Sequence, residues 1–330
     1  MRLLAACVAL CIVVPASADY SQHDKLPDFL NLLRKDYGYD EQALAGVVEI
    51  LKQAEPIPKL VQQEQKAPER TETWDQYVLR VDEARIREGV HVIHENARMF
   101  GRAEEEFGVP APVIAGIIGI ETRYGRNTGN VRVLDALATQ GFDHPTRSTF
   151  FMSELAQFFV FCRDYGFNPL KPRGSYAGAM GDAQFMPSNY RRLALDYDGN
   201  GHRDLWTIPD AIGSIANYFV NFRPKQSWKR GEPLAVHAHL TETLDEDVER
   251  NGHQTVYTVA ELEKLGVIAD IKLPPDLEVG LIQLPLSEGK DYWLALHNFY
   301  TVMTYNPRTF YAMAVTRLSQ RIVEQMEAEQ

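Results

Sequence analysis

Glu121 is the residue in this sequence whose type and setting best suit acid–base chemistry. It ends an almost wholly apolar stretch at 113–121 and lies within the segment Gly116–Gly125 (GIIGIETRYG). On a helix its neighbours one turn back are Ile117 and Ile118, so we expect its carboxyl group to be partly removed from water. Desolvation disfavours the charged form of a carboxyl group and raises its pKa. An acid that stays protonated near neutral pH can protonate a leaving oxygen, as glycosidases require.

The same glutamate also has a purely structural interpretation. Arg123 and Arg126 follow it closely in the sequence. A glutamate at a helix end, open to water and paired with one of these arginines, would carry no chemistry. The apolar stretch alone does not decide between the two interpretations.

A glycine-rich segment, Gly174–Pro187 (GSYAGAMGDAQFMP), forms a second candidate for ligand binding. Small residues let a ligand approach the backbone closely. Ser175 and Gln184 are polar groups among small and apolar residues, and they are able to fix a ligand's orientation. The segment lacks the Gly-Lys-Ser/Thr of a phosphate loop. The alternative is a turn-rich connector without a binding role.

The segment Asp196–His202 (DYDGNGH) matches the start of an EF-hand calcium loop. The oxygen ligands at positions one, three and five, the turn glycine at six and the carbonyl at seven would come from Asp196, Asp198, Asn200, Gly201 and His202. Position twelve holds Thr207 instead of the usual glutamate, and Asp210 is close enough in sequence to supply the missing carboxylate. We predict a structural calcium site here. The alternative is an acidic turn without metal.

A segment rich in aromatic and amide side chains, Asn298–Asn306 (NFYTVMTYN), suits a saccharide groove. Rings pack against sugar faces, and amides such as Asn298 bond to hydroxyl and N-acetyl groups. Equally, Phe299 and Met303 can simply belong to the core. Other catalytic patterns are missing from the sequence, because it has neither the His-Glu-x-x-His of zinc proteases nor the Gly-x-Ser-x-Gly of serine hydrolases.

Hydrophobic periodicity predicts a mainly helical α+β protein. Helices are expected within 27–107, with Asp82–Phe107 broken at Gly89, and at 113–121, 134–140, 149–165 and 210–222. Alternating β-type stretches between 233 and 288, with a short helix at Val259–Leu265, predict a small β-containing insert. A helical period returns from Asn298 to Ala328.

Composition and the N-terminus indicate an exported protein. Of 330 residues, 45% are hydrophobic and 24% charged, and the net charge of −11 argues against binding nucleic acid or anionic membranes. Residues 1–18 have the basic start, short apolar run and Ala-Ser-Ala end of a signal peptide, so a soluble periplasmic protein is expected. A lipid anchor at Cys7 is rejected, since most of the apolar run follows it. Cys162, alone in the mature chain, is expected to be buried and inert.

Jointly these segments resemble the lytic murein transglycosylase B family. The matching segments, in the family's order, are Gly116–Gly125, Val133–Thr139, Gly174–Tyr190, Asp196–Trp206, Asp210–Phe219 and Asn298–Asn306. The resemblance implies a lysozyme-like catalytic core at 106–232, which includes the EF-hand-like loop 196–210. A helical domain at 19–105 would precede this core. A small β-containing domain at 233–290 and a C-terminal helical segment at 291–330 would follow.

The family resemblance implies non-hydrolytic cleavage of peptidoglycan glycan strands, without a catalytic cofactor. Glu121 would protonate the oxygen that links N-acetylmuramic acid to N-acetylglucosamine. As a carboxylate it would then deprotonate the muramic C6 hydroxyl, which attacks C1 to give a 1,6-anhydro product. The substrate's N-acetyl group would take the place of a second carboxylate, as in substrate-assisted glycosidases. Asp182 is the best spare carboxylate and is not expected to act as a nucleophile.

The resemblance also assigns roles to the other candidate residues. Substrate contacts are implied for Ser175, Gln184, Tyr218, Tyr300, Tyr305, Tyr77 and Arg147. Many relatives have two successive basic residues where this chain has Thr146 and Arg147. Calcium ligands are implied for Asp196, Asp198, Asn200, His202 and Asp210, and the neutral Asn200 would weaken binding. Two alternatives remain: a muramidase that uses water, and a peptidoglycan-binding scaffold without activity.

Overall fold

The computed structural model describes residues 19–60 and 71–329 of the chain. The predicted signal peptide at 1–18, with Cys7, lies outside these residues. The described part is mainly helical with one five-stranded sheet and one two-stranded sheet, which confirms the predicted α+β class. None of the described helices has the length and apolar character needed to cross a membrane.

Helices make up the described N-terminal part of the chain. They are α1 (Leu26–Tyr37), α2 (Glu41–Leu51), α3 (Trp74–Tyr77), α4 (Glu83–Glu95) and α5 (Ala97–Phe107). Local signals set their ends. The Asp82 side chain accepts the N–H of Arg85 at 2.7 Å and caps α4, whereas α5 stops at Gly108, which has a left-handed conformation.

The predicted break at Gly89 is wrong. Gly89 lies inside α4, and the chain breaks at Asn96, where α4 ends and α5 begins. The glycine serves packing instead, since a Cβ at this position would come within 2.5 Å of side-chain atoms of Tyr124 and Ile322.

The middle of the chain forms a helical core with a small hairpin. Its helices are α6 (Ala111–Thr122), α7 (Val133–Asp143), α8 (Ser148–Tyr165), α9 (Pro187–Leu193) and α10 (Ile208–Asn221). Strands β1 (Val131–Arg132) and β2 (Arg173–Gly174) pair antiparallel ahead of the glycine-rich segment. That segment contains no helix before Pro187, as its glycine content predicted.

A small antiparallel sheet follows, with its own hydrophobic core. Its strands are β3 (Ala235–Leu240), β4 (Tyr257–Thr258), β5 (Val267–Ala269), β6 (Glu278–Pro285) and β7 (Lys290–Ala295), in the order β4-β6-β7-β3-β5. A short helix, α11 (Val259–Lys264), connects β4 to β5. The predicted boundary at residue 290 would cut β7, because this strand continues to Ala295 and pairs there with β3 and β6.

The chain then returns to the core as α12 (His297–Met303) and α13 (Thr309–Ala328). Helix α13 packs along α6, and α6 is also in contact with α4, α5 and α10. Glycines allow the close approach of these helices: a Cβ on Gly119 of α6 would lie 2.6 Å from the Tyr124 hydroxyl and 2.9 Å from Leu318 of α13. The end of α6 is thereby held in a tightly packed environment.

Gly119→Ala should therefore destabilise the protein, although alanine favours a helix. We expect the free energy of unfolding to fall by about 1–3 kcal/mol, as in overpacked cores. The matched control is Gly101→Ala on the exposed side of α5, where a Cβ meets nothing within 4 Å. This control should gain about 0.5–1 kcal/mol. Urea unfolding measures both, and equal stability of the two variants would contradict the packing argument.

Candidate active site

Glu121 lies in the last turn of α6, where its carboxyl group is half-buried. The preceding isoleucines, Ile117 and Ile118, have no exposed surface. Burial raises the pKa of Glu121 from its ordinary 4.5 to about 7, and a hydrogen bond from Tyr311 opposes part of this rise. In that bond the Tyr311 hydroxyl donates to Oε1 of Glu121 at 2.6 Å. The carboxyl group can therefore both give and take a proton near neutral pH.

The two arginines that follow Glu121 pair with other acids. Arg126 contacts Glu88 at 2.6 Å between Nη2 and Oε2. Arg123 lies 3.7 Å from a carboxylate oxygen of Asp82. Glutamates and aspartates of the α4 region therefore neutralise both cations. The structural interpretation, in which an arginine pairs with Glu121, does not describe this protein.

Tyr218, Tyr305 and Tyr311 form a connected group that reaches Glu121 through Tyr311, and each hydroxyl has a different acceptor. Tyr218 donates to the carbonyl oxygen of Thr304 at 2.6 Å, and Tyr305 donates to that of Ala183. The rings of Tyr218 and Tyr305 are in contact, with centroids 4.7 Å apart. Only Tyr311, among these three, donates to Glu121. Tyr218 and Tyr305 were predicted to lie at the site, and the structure brings them together.

Tyr311 was missed by the sequence analysis. It lies on α13, beyond the last matching segment, and 190 positions separate it from Glu121. One signal was available: Tyr311, Val315 and Leu318 follow the spacing of one helix face, and the face is apolar except for the tyrosine hydroxyl. A lone hydroxyl on a buried face needs a polar partner.

The glycine-rich segment contributes two polar groups that remain half-buried. The Ser175 hydroxyl oxygen accepts the N–H groups of Ala177 and Ala179, at 3.2 and 3.1 Å. The amide nitrogen of Gln184 donates to the carbonyl oxygens of Thr128 and Gly181, at 3.1 and 2.8 Å. These bonds leave the hydroxyl hydrogen of Ser175 as a donor and the amide oxygen of Gln184 as an acceptor.

A groove of about 720 Å³ brings together four of the predicted substrate-contacting residues: Arg147, Tyr218, Tyr300 and Tyr305. Arg147 is exposed, and its guanidinium group lies 4.9 Å from the ring centres of both Phe150 and Phe151. Tyr300 is buried with its ring at the groove wall. The groove thus combines aromatic surface with positive charge.

Asn298 and Tyr77, which were also predicted to contact the substrate, do not line this groove. Asn298 is 0% exposed, and its amide bonds to the backbone N–H and carbonyl of Lys229 and to the carbonyl of Glu232. With no exposed surface it is unavailable to a sugar, so we remove it from the proposed contacts. Tyr77 packs against Phe310, the neighbour of Tyr311, with ring centres 5.3 Å apart.

The acidic loop brings three carboxyl groups close together. Carboxylate oxygens of Asp196, Asp198 and Asp210 all lie within 4.8 Å of one another. Gly201, the turn glycine at position six, has a φ of +89°, which a residue with a side chain rarely adopts. The hydroxyl of Thr207 donates to the carbonyl of Asp204 at 2.8 Å, and the buried Asp210 lies among the carboxylates instead.

Local hydrogen bonds hold the other two expected ligands of this loop. The side-chain oxygen of Asn200 accepts the N–H of His202 at 2.8 Å. Asp210 accepts the N–H groups of Tyr197 and Asp204, at 2.7 and 2.8 Å, and burial raises its pKa. Three carboxylates and neutral oxygens form a hard-oxygen donor set, which suits calcium.

Two other titratable groups in the core are Asp182 and Cys162. Asp182 lies against Gly125, and burial, with the nearby charge of Asp204, raises its pKa to about 6. Cys162 is buried in α8, and burial raises its pKa as well. A buried thiol with a raised pKa is unreactive, in agreement with the prediction of an inert cysteine.

Comparisons with known proteins match nearly the whole chain. A family model, the Transglycosylase SLT domain, covers residues 22–320. The membrane-bound lytic murein transglycosylase B of Escherichia coli (strain K12) is 35% identical over 318 residues, which is 94% of this chain and 86% of the relative.

Solved structures of similar proteins have the same fold. Lytic transglycosylase SltB1 from Pseudomonas aeruginosa superposes with a TM-score of 0.84 at 36% identity, covering 93% of this chain and 99% of the other. Escherichia coli lytic transglycosylase Slt35 in complex with calcium gives a TM-score of 0.83 at 35% identity, with 94% and 96% covered.

The helical core, the site and these similarities together define a lytic transglycosylase of lysozyme-like fold. More specifically, the chain belongs to the SLT-domain family of lytic murein transglycosylases. The family resemblance and the predicted fold class are therefore confirmed.

Glu121→Gln should stabilise the protein at alkaline pH. A carboxyl pKa raised from 4.5 to about 7 means that the folded state holds its proton more tightly, so stability falls as pH rises between these values. Glutamine removes this cost, and we expect a gain of about 1–3 kcal/mol at pH 8 that vanishes near pH 4. Urea unfolding between pH 4 and pH 8 measures this gain in stability. The matched control is Glu105→Gln, an exposed glutamate of α5. A gain independent of pH would contradict the argument.

Proposed function

We propose that Glu121 is the single acid and base of a non-hydrolytic cleavage of peptidoglycan glycan strands. It would first protonate the oxygen between N-acetylmuramic acid and N-acetylglucosamine, and the bond from C1 to that oxygen then breaks. The resulting carboxylate would take the proton of the muramic C6 hydroxyl while the C6 oxygen bonds to C1. The observation that carries this proposal is the half-buried carboxyl group with a pKa of about 7.

A single carboxylate suffices because the substrate can stabilise its own positive charge. The N-acetyl group at C2 is placed to support the oxocarbenium-like centre, as in substrate-assisted glycosidases. The spare carboxylate, Asp182, is 3% exposed and packs against Gly125. This burial gives it little access to a sugar and agrees with the expectation that it is not a nucleophile.

Substrate positioning is proposed for Ser175 and Gln184, which keep a donor and an acceptor available after their bonds to the backbone. Ser175 would donate its hydroxyl hydrogen, and Gln184 would accept through its amide oxygen. Tyr218, Tyr300 and Tyr305 line the groove, and because Tyr218 and Tyr300 are only 2% and 3% exposed, ring contact with a sugar face would come chiefly from Tyr305. Arg147 would meet lactyl or peptide carboxylates, and a contact with substrate is also proposed for Tyr77, which packs against Phe310.

We also propose that the acidic loop holds a structural calcium ion. Asp196, Asp198 and Asp210 would supply carboxylate oxygens, Asn200 its amide oxygen and His202 its backbone carbonyl. Without a cation, three close carboxylates repel one another. The calcium complex of the Escherichia coli relative supports this assignment.

The proposed location is the periplasm, where peptidoglycan strands are the partner. The net charge of −11 offers no attraction for nucleic acid. The predicted signal peptide at 1–18 supports export and a soluble mature form. Cleavage of that segment would leave a chain that starts at Asp19.

Mass spectrometry of peptidoglycan digested by residues 19–330 tests the reaction. We expect products that end in 1,6-anhydromuramic acid, lighter by one water than reducing sugars. Reducing ends would instead identify a muramidase that uses water. Intact glycan with bound, folded protein would identify a binding scaffold.

Glu121→Gln tests the residue assignment in the same assay. Glutamine keeps the shape and removes the proton, so turnover should fall by about a hundred- to ten-thousandfold. The matched control is Glu49→Gln, an exposed glutamate of α2 that pairs with Lys52 and should retain full turnover. Unchanged turnover in Glu121→Gln would refute the catalytic assignment.

Thermal unfolding with calcium or with chelator tests the metal proposal. A ligand that binds only the folded state should raise the Tm by several degrees when its concentration is far above Kd. Asp198→Asn removes one charged ligand and should abolish most of the gain, whereas Asp36→Asn, exposed on α1, should keep it. Identical melts with calcium and chelator would refute the site.

A further inference from the structure

We propose that Tyr311 is a positioning residue whose hydroxyl holds Oε1 of Glu121 and so leaves Oε2 as the oxygen that gives and takes the proton. This proposal rests on the proposed function of Glu121. The bond that carries it is 2.6 Å long and joins helices α13 and α6. Tyr311 is only 4% exposed, so water has little access to replace the bond.

The two helices that hold these side chains, α13 with Tyr311 and α6 with Glu121, are closely packed. Val315, one turn beyond Tyr311, lies against Gly116 of α6, and Leu318 lies against Gly119. Both glycines face α13 without a side chain between the helices, so the backbones are close. Close packing of the two helices holds the Tyr311 hydroxyl in one orientation toward the carboxyl group. A group that orients an acid must be held in this way.

The direction of the bond decides where the acidic proton resides. A tyrosine hydroxyl that donates to Oε1 uses that oxygen as an acceptor, so the proton of the neutral acid belongs on Oε2. During the first step the proton leaves Oε2 for the glycosidic oxygen, which also takes the electron pair of the broken bond. During the second step the C6 hydroxyl returns a proton to Oε2.

The same bond affects the two protonation states unequally. A hydrogen bond to a carboxylate is stronger than one to a neutral acid, so Tyr311 favours the charged form. Burial alone would therefore raise the pKa of Glu121 above about 7. The bond from Tyr311 therefore stabilises the carboxylate that remains after the first step and acts as the base in the second step.

The other titratable groups around Glu121 do not replace this donor. From α10 and the segment after α12, Tyr218 and Tyr305 donate to backbone carbonyls. The pKa values of Tyr305 and Tyr311 lie well above 10 through burial, so both stay neutral. Charged groups on α4, α5 and the end of α6 form the pairs Asp82–Arg123, Glu88–Arg126 and Arg102–Glu106, and none of these pairs includes Glu121.

Tyr311→Phe, compared with Tyr305→Phe, tests the proposal. The Glu121 carboxyl carbon is followed by ¹³C NMR across pH, with its signal assigned by its loss in Glu121→Gln. We expect Tyr311→Phe to move the titration midpoint up by about one pH unit, because a donor to the charged form is lost. Tyr305→Phe should leave the midpoint in place, since its hydroxyl bonds to Ala183.

The pH profile of kcat/KM gives a second readout. Its alkaline limb, where Glu121 loses the required proton, should move upward by the same amount in Tyr311→Phe. A uniform loss of activity with an unmoved midpoint would reduce Tyr311 to a packing role and overturn the proposal. Full turnover in Glu121→Gln would instead overturn the proposed function, while the NMR midpoint would still report on the hydrogen bond.

A replacement that preserves shape covers the case in which Tyr311→Phe does not fold. Incorporation of 3-fluorotyrosine at position 311 keeps the hydroxyl and makes it a stronger donor. The Glu121 midpoint should then move downward, opposite to the effect of phenylalanine. An unmoved midpoint in the folded fluorinated protein would overturn the proposal.

Discussion

The close packing of α6 against α13 is the interaction on which the rest of the site depends. Gly116 and Gly119 allow the two backbones to approach, and the contact places a carboxyl group from one helix beside a hydroxyl from the other. The hydroxyl of the groove residue Tyr305 bonds to Ala183, which connects the groove to the glycine-rich segment. Any bulk added between the helices would separate the donor from the acid before it affected the groove.

Two opposing effects set the chemistry of Glu121. Burial against apolar residues of α6 raises its pKa, and such effects reach several pH units in proteins. The hydroxyl of Tyr311 opposes this rise without introducing a charge. A cation in the same place would have kept the carboxyl group ionised at neutral pH and unable to protonate anything. The nearby arginines are instead held by the acids of the α4 region.

The sequence was informative wherever function depended on residues close together in the chain. The Ile-lined helix predicted the burial of Glu121, and the acidic loop predicted a carboxylate from Asp210, which does lie beside those of Asp196 and Asp198. Tyr311 could not be found this way, because its partner lies 190 positions earlier and only tertiary packing joins them. For Asn298 the local sequence predicted a sugar contact that the structure excludes. An amide among aromatic residues can bond to a sugar or to buried backbone groups, and here it bonds to the backbone of Lys229 and Glu232.

The contact between the first core helix and the last helix also has a consequence for the order of folding. Contacts of large sequence separation form late, because closing a long loop costs entropy before the contact repays it. Without α13, Glu121 would lack its hydroxyl donor, and the face of α6 that packs on α13 would be open to water. The surroundings that raise the pKa of Glu121 are thus complete only when the twenty-residue helix α13 is in place.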